Sequence, residues 1–139
     1  FPLFINDFKD KIKIHFSSEE KVEIIFENPE KIQILTDQNY LKTIIRNLTS
    51  NAIKALNETE KPTIIWKAWQ ENNISYLSIS DNGKGAENEQ FKALYDDKEV
   101  AGIKSGLGLH LIRDLAKAID CQIEVNSKVN EGTTFTLKL

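Results

Sequence analysis

Asn47 and Asn51 stand four residues apart with Lys54 three further on, a spacing that puts all three on roughly one side of a helix. Asparagine competes with the backbone for hydrogen bonds and is a poor interior helix former, so two here suggest a task beyond forming helix. An amide carbonyl is a neutral oxygen ligand suited to Mg²⁺, which takes few protein groups and keeps waters and substrate phosphate oxygens. Lys54 would meet phosphate as a point charge. Read alone, the cluster fits a solvated helix face better than a binding site. A second cluster, Asp81-Asn82-Gly83-Lys84-Gly85, follows a strand pattern. Its glycines permit positive φ and close backbone approach to a flat ligand, and its strand-end carboxylate can accept from an exocyclic amine such as that of adenine. Asp-Asn-Gly is also ordinary hairpin chemistry, but no strand pattern follows Gly85. In the third cluster, Ser105-Gly106-Leu107-Gly108-Leu109 opens a helix, where unsatisfied N–H groups and the macrodipole form an anion site. A glycine-flanked helix cap is the plain alternative.

The elements that must carry these clusters follow from periodicity. Phe1, Phe4, Ile5, Phe8, Ile12 and Phe16 recur at helical steps and predict an amphipathic helix over 1–16. Lys21–Phe26 and Lys31–Leu35 alternate around Glu27-Asn28-Pro29-Glu30 and predict a hairpin. Asp37 caps a helix running to about Leu56, with Tyr40, Leu41, Ile44, Ile45, Leu48, Ala52, Ile53 and Ala55 as its apolar face. Thr63–Trp69 and Ile74–Ser80 predict a second hairpin. The polar stretch from Asp81 to Gly106 is too long for an ordinary connection and is expected to be a mobile functional loop. A helix from about Leu107 to Ile119 and a hairpin, Gln122–Ser127 with Thr133–Leu139, complete the chain. Strands in adjacent pairs with intervening helices predict an α+β fold: a two-layer sandwich with a mixed, mostly antiparallel sheet and about three main helices on one face.

Composition narrows the function classes. The 139 residues suit one domain over 1–139. Eighteen basic and 21 acidic residues, net −3, are spread along the chain, so no nucleic-acid face is expected. The single cysteine, Cys121, excludes an internal disulfide and fits a reducing compartment. The apolar runs fall far short of the roughly 18 residues that span a bilayer, so no direct membrane contact is expected. Two histidines and one cysteine do not make a zinc site. His15 reads as a solvated or half-buried helix residue, and His110 as helix packing with a phosphate contact as the sharper alternative. Trp66 and Trp69 are three apart on a strand and so face opposite sides, with Trp69 expected to be exposed. The absence of methionine and the start at Phe1 read as a fragment of a longer protein.

In order, Asn-x-x-x-Asn-Ala-x-Lys, Asp-x-Gly-x-Gly, Gly-Leu-Gly-Leu and Gly132-Thr133-Thr134-Phe135 resemble the ATP-binding catalytic domain of two-component sensor histidine kinases. Those kinases share a superfamily with gyrase, heat-shock chaperone and mismatch-repair ATPases. The resemblance covers about Leu3 to Leu139. It implies an adenine pocket at Asp81, Gly83 and Gly85 closed by Thr133 or Thr134, Mg²⁺ on Asn51, and ATP phosphates met by Asn47 and Lys54. It also implies a lid ending at Gly106, Leu107 and Gly108, with Lys98 and Lys104 as lid cations and Phe91, Leu94 and Tyr95 as its aromatic segment. No nucleophile is expected within the chain. The resemblance supplies that histidine from separate dimerisation and phosphoacceptor helices of a parent kinase, with a response regulator downstream and a cytoplasmic location. The alternative is a degenerate or regulatory module that docks on a partner or phosphorylates serine. Departures are Ala55 and Ala86, smaller than many relatives carry, and Asn47 where ATPase relatives place a water-activating glutamate, so slow hydrolysis is expected.

Overall fold

The computed structural model describes residues 2–4, 22–29, 32–94 and 108–139. Asp37 starts the first α-helix: its backbone is extended (φ −67°, ψ 111°) and its Oδ1 accepts the Tyr40 N–H at 3.0 Å, satisfying one of the orphan donors of a helix start. Helix α1, Gln38–Ala55, buries Leu41, Ile44, Ile45, Leu48 and Ala52, the stripe expected of an amphipathic helix. Tyr40, on its first turn, stays exposed. Thr49 sits inside the helix with its hydroxyl donating to the Ile45 carbonyl at 2.8 Å, which makes its burial tolerable.

Seven strands are present among the described residues: β1 Pro2–Phe4, β2 Glu23–Glu27, β3 Gln33–Leu35, β4 Thr63–Glu71, β5 Ile74–Asp81, β6 Gln122–Lys128 and β7 Gly132–Lys138. Five form one sheet in the order β2-β4-β5-β7-β6. Only β2 and β4 pair in parallel; the other neighbours are antiparallel. The α+β fold and mixed sheet are therefore as expected, but the first hairpin is not. β2 joins the large sheet, whereas β3 pairs antiparallel with β1, because the alternation of a strand marks its faces and not its partner. Residues 2–4, read as helix, begin in that small sheet. The rest of that helix, 5–16 with His15, lies outside the described residues. The helices among the described residues are accordingly α1, α2 (Leu109–Ala118) and a 3₁₀ helix at Asn88–Leu94, two of the three main helices expected.

The turns explain the pairing. β4 and β5 are joined by Asn72 and Asn73, both at positive φ (50° and 65°), the handedness that matches a two-residue hairpin to strand twist. α2 ends with Asp120 at φ 54°, the Asp120 N–H on Lys117 O and the Cys121 N–H on Ala116 O. That is a Schellman stop built on aspartate instead of glycine.

Register aligns side chains into rows on the helix-facing side of the sheet. Phe26, Trp66, Ile79, Phe135 and Val125 form one row, and Ile24, Ile64, Asp81, Thr133 and Ser127 the next. Trp66 is fully buried and stacks on Phe26. Trp69 lies on the opposite face as expected, but it is half-buried, its ring parallel to Tyr76 at 5.3 Å. Cys121 is buried, its thiol pushed up to about 12 by desolvation, so it packs as an inert apolar group.

Leu77 is 1% exposed at the centre of the sheet. Leu77→Ala should lower unfolding free energy by about 2–5 kcal/mol in urea denaturation, with an unchanged m-value; a loss below about 0.5 kcal/mol, the level of a surface change, would contradict this core assignment.

Candidate functional site

Where β5 ends, its last residue, Asp81, points to the helix layer instead of continuing the apolar row. Its Oδ1 accepts the Gly83 N–H at 2.9 Å, a local aspartate turn that bends the chain away from the sheet. Burial raises the Asp81 carboxyl above its ordinary 3.8, while the backbone N–H groups of Gly83 and Thr133 pull it back down.

The turn then runs along backbone. A Cβ at Gly83 would lie 2.5 Å from the Ala55 carbonyl oxygen at the end of α1, and one at Gly85 would lie 2.0 Å from Lys128 O. Gly85 also has φ +63°, so at this position both space and conformation require glycine. Gly132 closes the same knot, since its Cβ would meet Asp81 O at 2.1 Å. The β6–β7 hairpin holds the turn from the other side: the Asn130 N–H reaches Lys84 O at 2.7 Å and the Ala86 N–H reaches Ser127 Oγ at 2.9 Å.

Between this turn, the end of α1, the 3₁₀ helix and β7 lies a cleft of about 270 Å³, just below the ~300–1,000 Å³ usual for small-molecule sites. Its lining includes Asn51, Lys54, Ala55, Asp81, Gln90 and Thr133. Phe91, which also lines it, meets Phe135 edge-on at 5.7 Å and 81°, giving the cleft an apolar wall beside the Asp81 carboxylate. Such a wall with a few convergent polar groups suits a flat heteroaromatic ring.

The structure brings together Asn51, Lys54, Asp81, Gly85 and Thr133, with Gly83 buried directly behind them. Other expected site residues stand elsewhere. Asn47 does not line the cleft, and its Nδ2 donates to Thr43 O at 2.9 Å, which commits part of the amide to its own helix. Thr134 lies on the opposite face of the sheet, its hydroxyl 2.9 Å from Ser80 Oγ, because neighbours on a strand point opposite ways. Gly108 caps α2 at φ 60° with open space around it and is not part of the lining. Phe91 and Leu94, expected in a lid, are buried in the core. Tyr95, Lys98, Lys104, Ser105, Gly106 and Leu107 lie outside the described residues. Both His110 ring nitrogens are shielded from solvent. Three residues at or beside the cleft carry no role in the sequence reading: Lys84 and Gln90, which line it, and Ser127, whose only signal is its register opposite Thr133.

Among the described residues no cluster of three or more histidine, cysteine or carboxylate side chains could hold a metal alone. Asn51 is 8% exposed and on the cleft wall. One neutral carbonyl oxygen suits Mg²⁺ when phosphate and water complete the octahedron, so the donor set fits a cation that arrives with a nucleotide.

Residues 36–139 match the family described as histidine kinase-, DNA gyrase B-, and HSP90-like ATPase. Over 106 residues the chain is 34% identical to histidine protein kinase SaeS of Staphylococcus epidermidis, covering 71% of this chain and 30% of that protein. It is 33% identical over 110 residues to sensor protein BceS of Halalkalibacterium halodurans, covering 74% of this chain and 32% of that one. The chain thus spans about a third of the length of these curated relatives. In three dimensions it resembles the catalytic domain of histidine kinase ThkA, with TM-score 0.81, 19% identity, and coverage of 100% of this chain and 93% of that one. The mycobacterial sensor histidine kinase MprB gives TM-score 0.80 at 17% identity, covering 100% and 95%. At such identities the likeness is one of fold.

Two outcomes are expected from this geometry. Gly85→Ala should destabilise the chain by on the order of 1–3 kcal/mol from the left-handed backbone alone, and should speed amide exchange at Ala86; wild-type exchange would contradict the clasp. The raised pKa means folded Asp81 keeps its proton to higher pH than unfolded Asp81. Its contribution to stability is therefore present at low pH and is lost as pH rises from about 3.8 through the raised value. Asp81→Asn should flatten this part of the profile in thermal melts across the acid range, and an unchanged profile would show that the carboxyl titrates normally.

Proposed function

The chain belongs to the histidine kinase-, DNA gyrase B-, and HSP90-like ATPase family, and from that premise we propose that it is the ATP-binding catalytic domain of a sensor histidine kinase. In this reading residues 1–139 form one catalytic domain of a longer protein. The observation that carries the reading is the Asp81 carboxylate, half-buried at the end of β5 beside Thr133 and an apolar wall. A carboxylate in such a place recognises an amino group on a flat ring, because its lone pairs have lost water and point into the cleft. Adenine offers that amino group; guanine offers a carbonyl oxygen, which the carboxylate repels. The aspartate turn fixes one oxygen on the Gly83 N–H, so the carboxylate meets the base pre-oriented.

Lys54 lies three residues beyond Asn51 on the same helix, and both reach the cleft. Asn51 would hold Mg²⁺ through its carbonyl oxygen, and Lys54 would face the phosphates. The bound cation supplies charge neutralisation of the phosphates. The remainder of catalysis is positioning: the γ-phosphate is presented to a histidine on a separate phosphoacceptor domain, and the response regulator receives it afterwards. Asn47 is no general base and is bonded to its own helix, which supports transfer over hydrolysis. Among the described residues no helix is long and apolar enough to cross a membrane; a cytoplasmic placement is part of the proposal.

Calorimetric titration with ATP and GTP, with and without Mg²⁺, tests this directly. Adenine-selective binding strengthened by Mg²⁺ is expected, and Asn51→Ala should remove roughly tenfold of the Mg²⁺-dependent affinity while leaving the melting temperature near wild type. Absence of binding into the millimolar range would discard the reading. Binding without phosphotransfer to the parent's phosphoacceptor helices would favour a regulatory module instead.

A further inference from the structure

Ser127 lies outside the cleft lining, yet it touches two of the residues that form it. Its Oγ accepts the Ala86 N–H at 2.9 Å, stands 2.7 Å from Thr133 Oγ1, and reaches Gly132 O at 3.3 Å. These are three contacts for a hydroxyl with one proton and two lone pairs. The Ala86 N–H fills one lone pair. The proton then has two destinations, and the choice sets what Thr133 shows to the cleft. If Ser127 donates to Gly132 O, Thr133 must donate to Ser127 and offers a ligand only lone pairs. If Ser127 donates to Thr133, the Thr133 proton is free to turn into the cleft.

The distances differ in a useful way. At 3.3 Å the Gly132 contact is beyond the usual O–H···O range, whereas 2.7 Å to Thr133 is at its mode. Giving up the first contact therefore costs little once a ligand supplies an acceptor. Asp81 and Thr133 are paired in register on β5 and β7, so the cleft then presents a carboxylate acceptor beside a hydroxyl donor. That pair complements an amino group adjacent to a ring nitrogen, the arrangement at adenine N6 and N1. Guanine presents the reverse, a carbonyl oxygen adjacent to an N–H.

We propose that Ser127 is a positioning residue for purine selection, orienting the Thr133 hydroxyl as a donor while anchoring the glycine turn through Ala86. This rests on the nucleotide-binding reading above and deepens it, since the selectivity is assigned to three strands and not to Asp81 alone.

The test compares ATP and GTP affinities of the wild type with those of Ser127→Ala, Ser127→Thr and, as a control, Ser80→Ala. The control removes a comparable hydroxyl pair, Ser80 to Thr134 at 2.9 Å, on the opposite face of the sheet. Ser127→Ala should cut the ATP-to-GTP affinity ratio by roughly five- to tenfold, the scale of one hydrogen bond. Ser127→Thr should restore it, and Ser80→Ala should keep the wild-type ratio. Should alanine at 127 prevent folding, Ser127→Cys, near-isosteric with a weak donor, is expected to show the same loss. A wild-type ratio in Ser127→Ala or Ser127→Cys, even with a lowered melting temperature, would reduce Ser127 to a structural residue and overturn the proposal alone. Absence of ATP binding by the wild type would overturn it together with the reading it rests on.

Discussion

Asp81 gives up water on the helix-facing side of the sheet, and backbone takes the place of that water. A half-buried carboxylate is tolerable only where donors reach it, and here they come from Gly83 and Thr133. The Gly83 N–H reaches Asp81 only if the chain folds back within two residues, which forces the turn against the end of α1, where no side chain fits. The Thr133 N–H is available only if β7 lies beside β5 in the observed register. One carboxylate therefore fixes the seam between the helix layer, the glycine turn and two strands. The cleft is the space left over when that seam closes.

Burial and chemistry are divided along rows. The row carrying Trp66, Ile79 and Phe135 is apolar throughout and fills the core, whereas the next row changes from Ile24 and Ile64 to Asp81, Thr133 and Ser127. The sheet thus changes from apolar packing surface to polar cleft wall in a single step along its strands. Phe135 supports both, since it packs in the core and meets Phe91 at the cleft wall.

Much of this was legible in the residues. α1 declared itself through Asp37 and a long apolar stripe, and the β4–β5 and β6–β7 hairpins through alternation around polar turns. Asp81, Gly85 and Asn51, which line one cleft, stand out because their residue types are unusual for their positions. What escaped was whatever depends on partner choice. β2 and β3 carry correct strand patterns, but alternation says nothing of which edge each one joins, so the pattern predicts a hairpin where two different sheets exist. Thr133 and Thr134 are chemically equal in sequence and are separated only by the face each takes. Ser127 is an unremarkable strand serine until register sets it opposite Thr133. The Schellman stop at Asp120 was invisible because the sequence offers no glycine there.

The strand order has a consequence for how the molecule comes into being. β7 lies between β5 and β6, yet Ser80 and its partner Thr134 are 54 residues apart in the chain. At a synthesis rate of about 5–20 residues per second, β5 waits about 3–11 seconds on the ribosome with one edge unpaired. Through that interval Asp81 lacks the Thr133 N–H and the glycine turn lacks its clasp. The cleft therefore takes its shape only when the hairpin of β6 and β7 closes against β5.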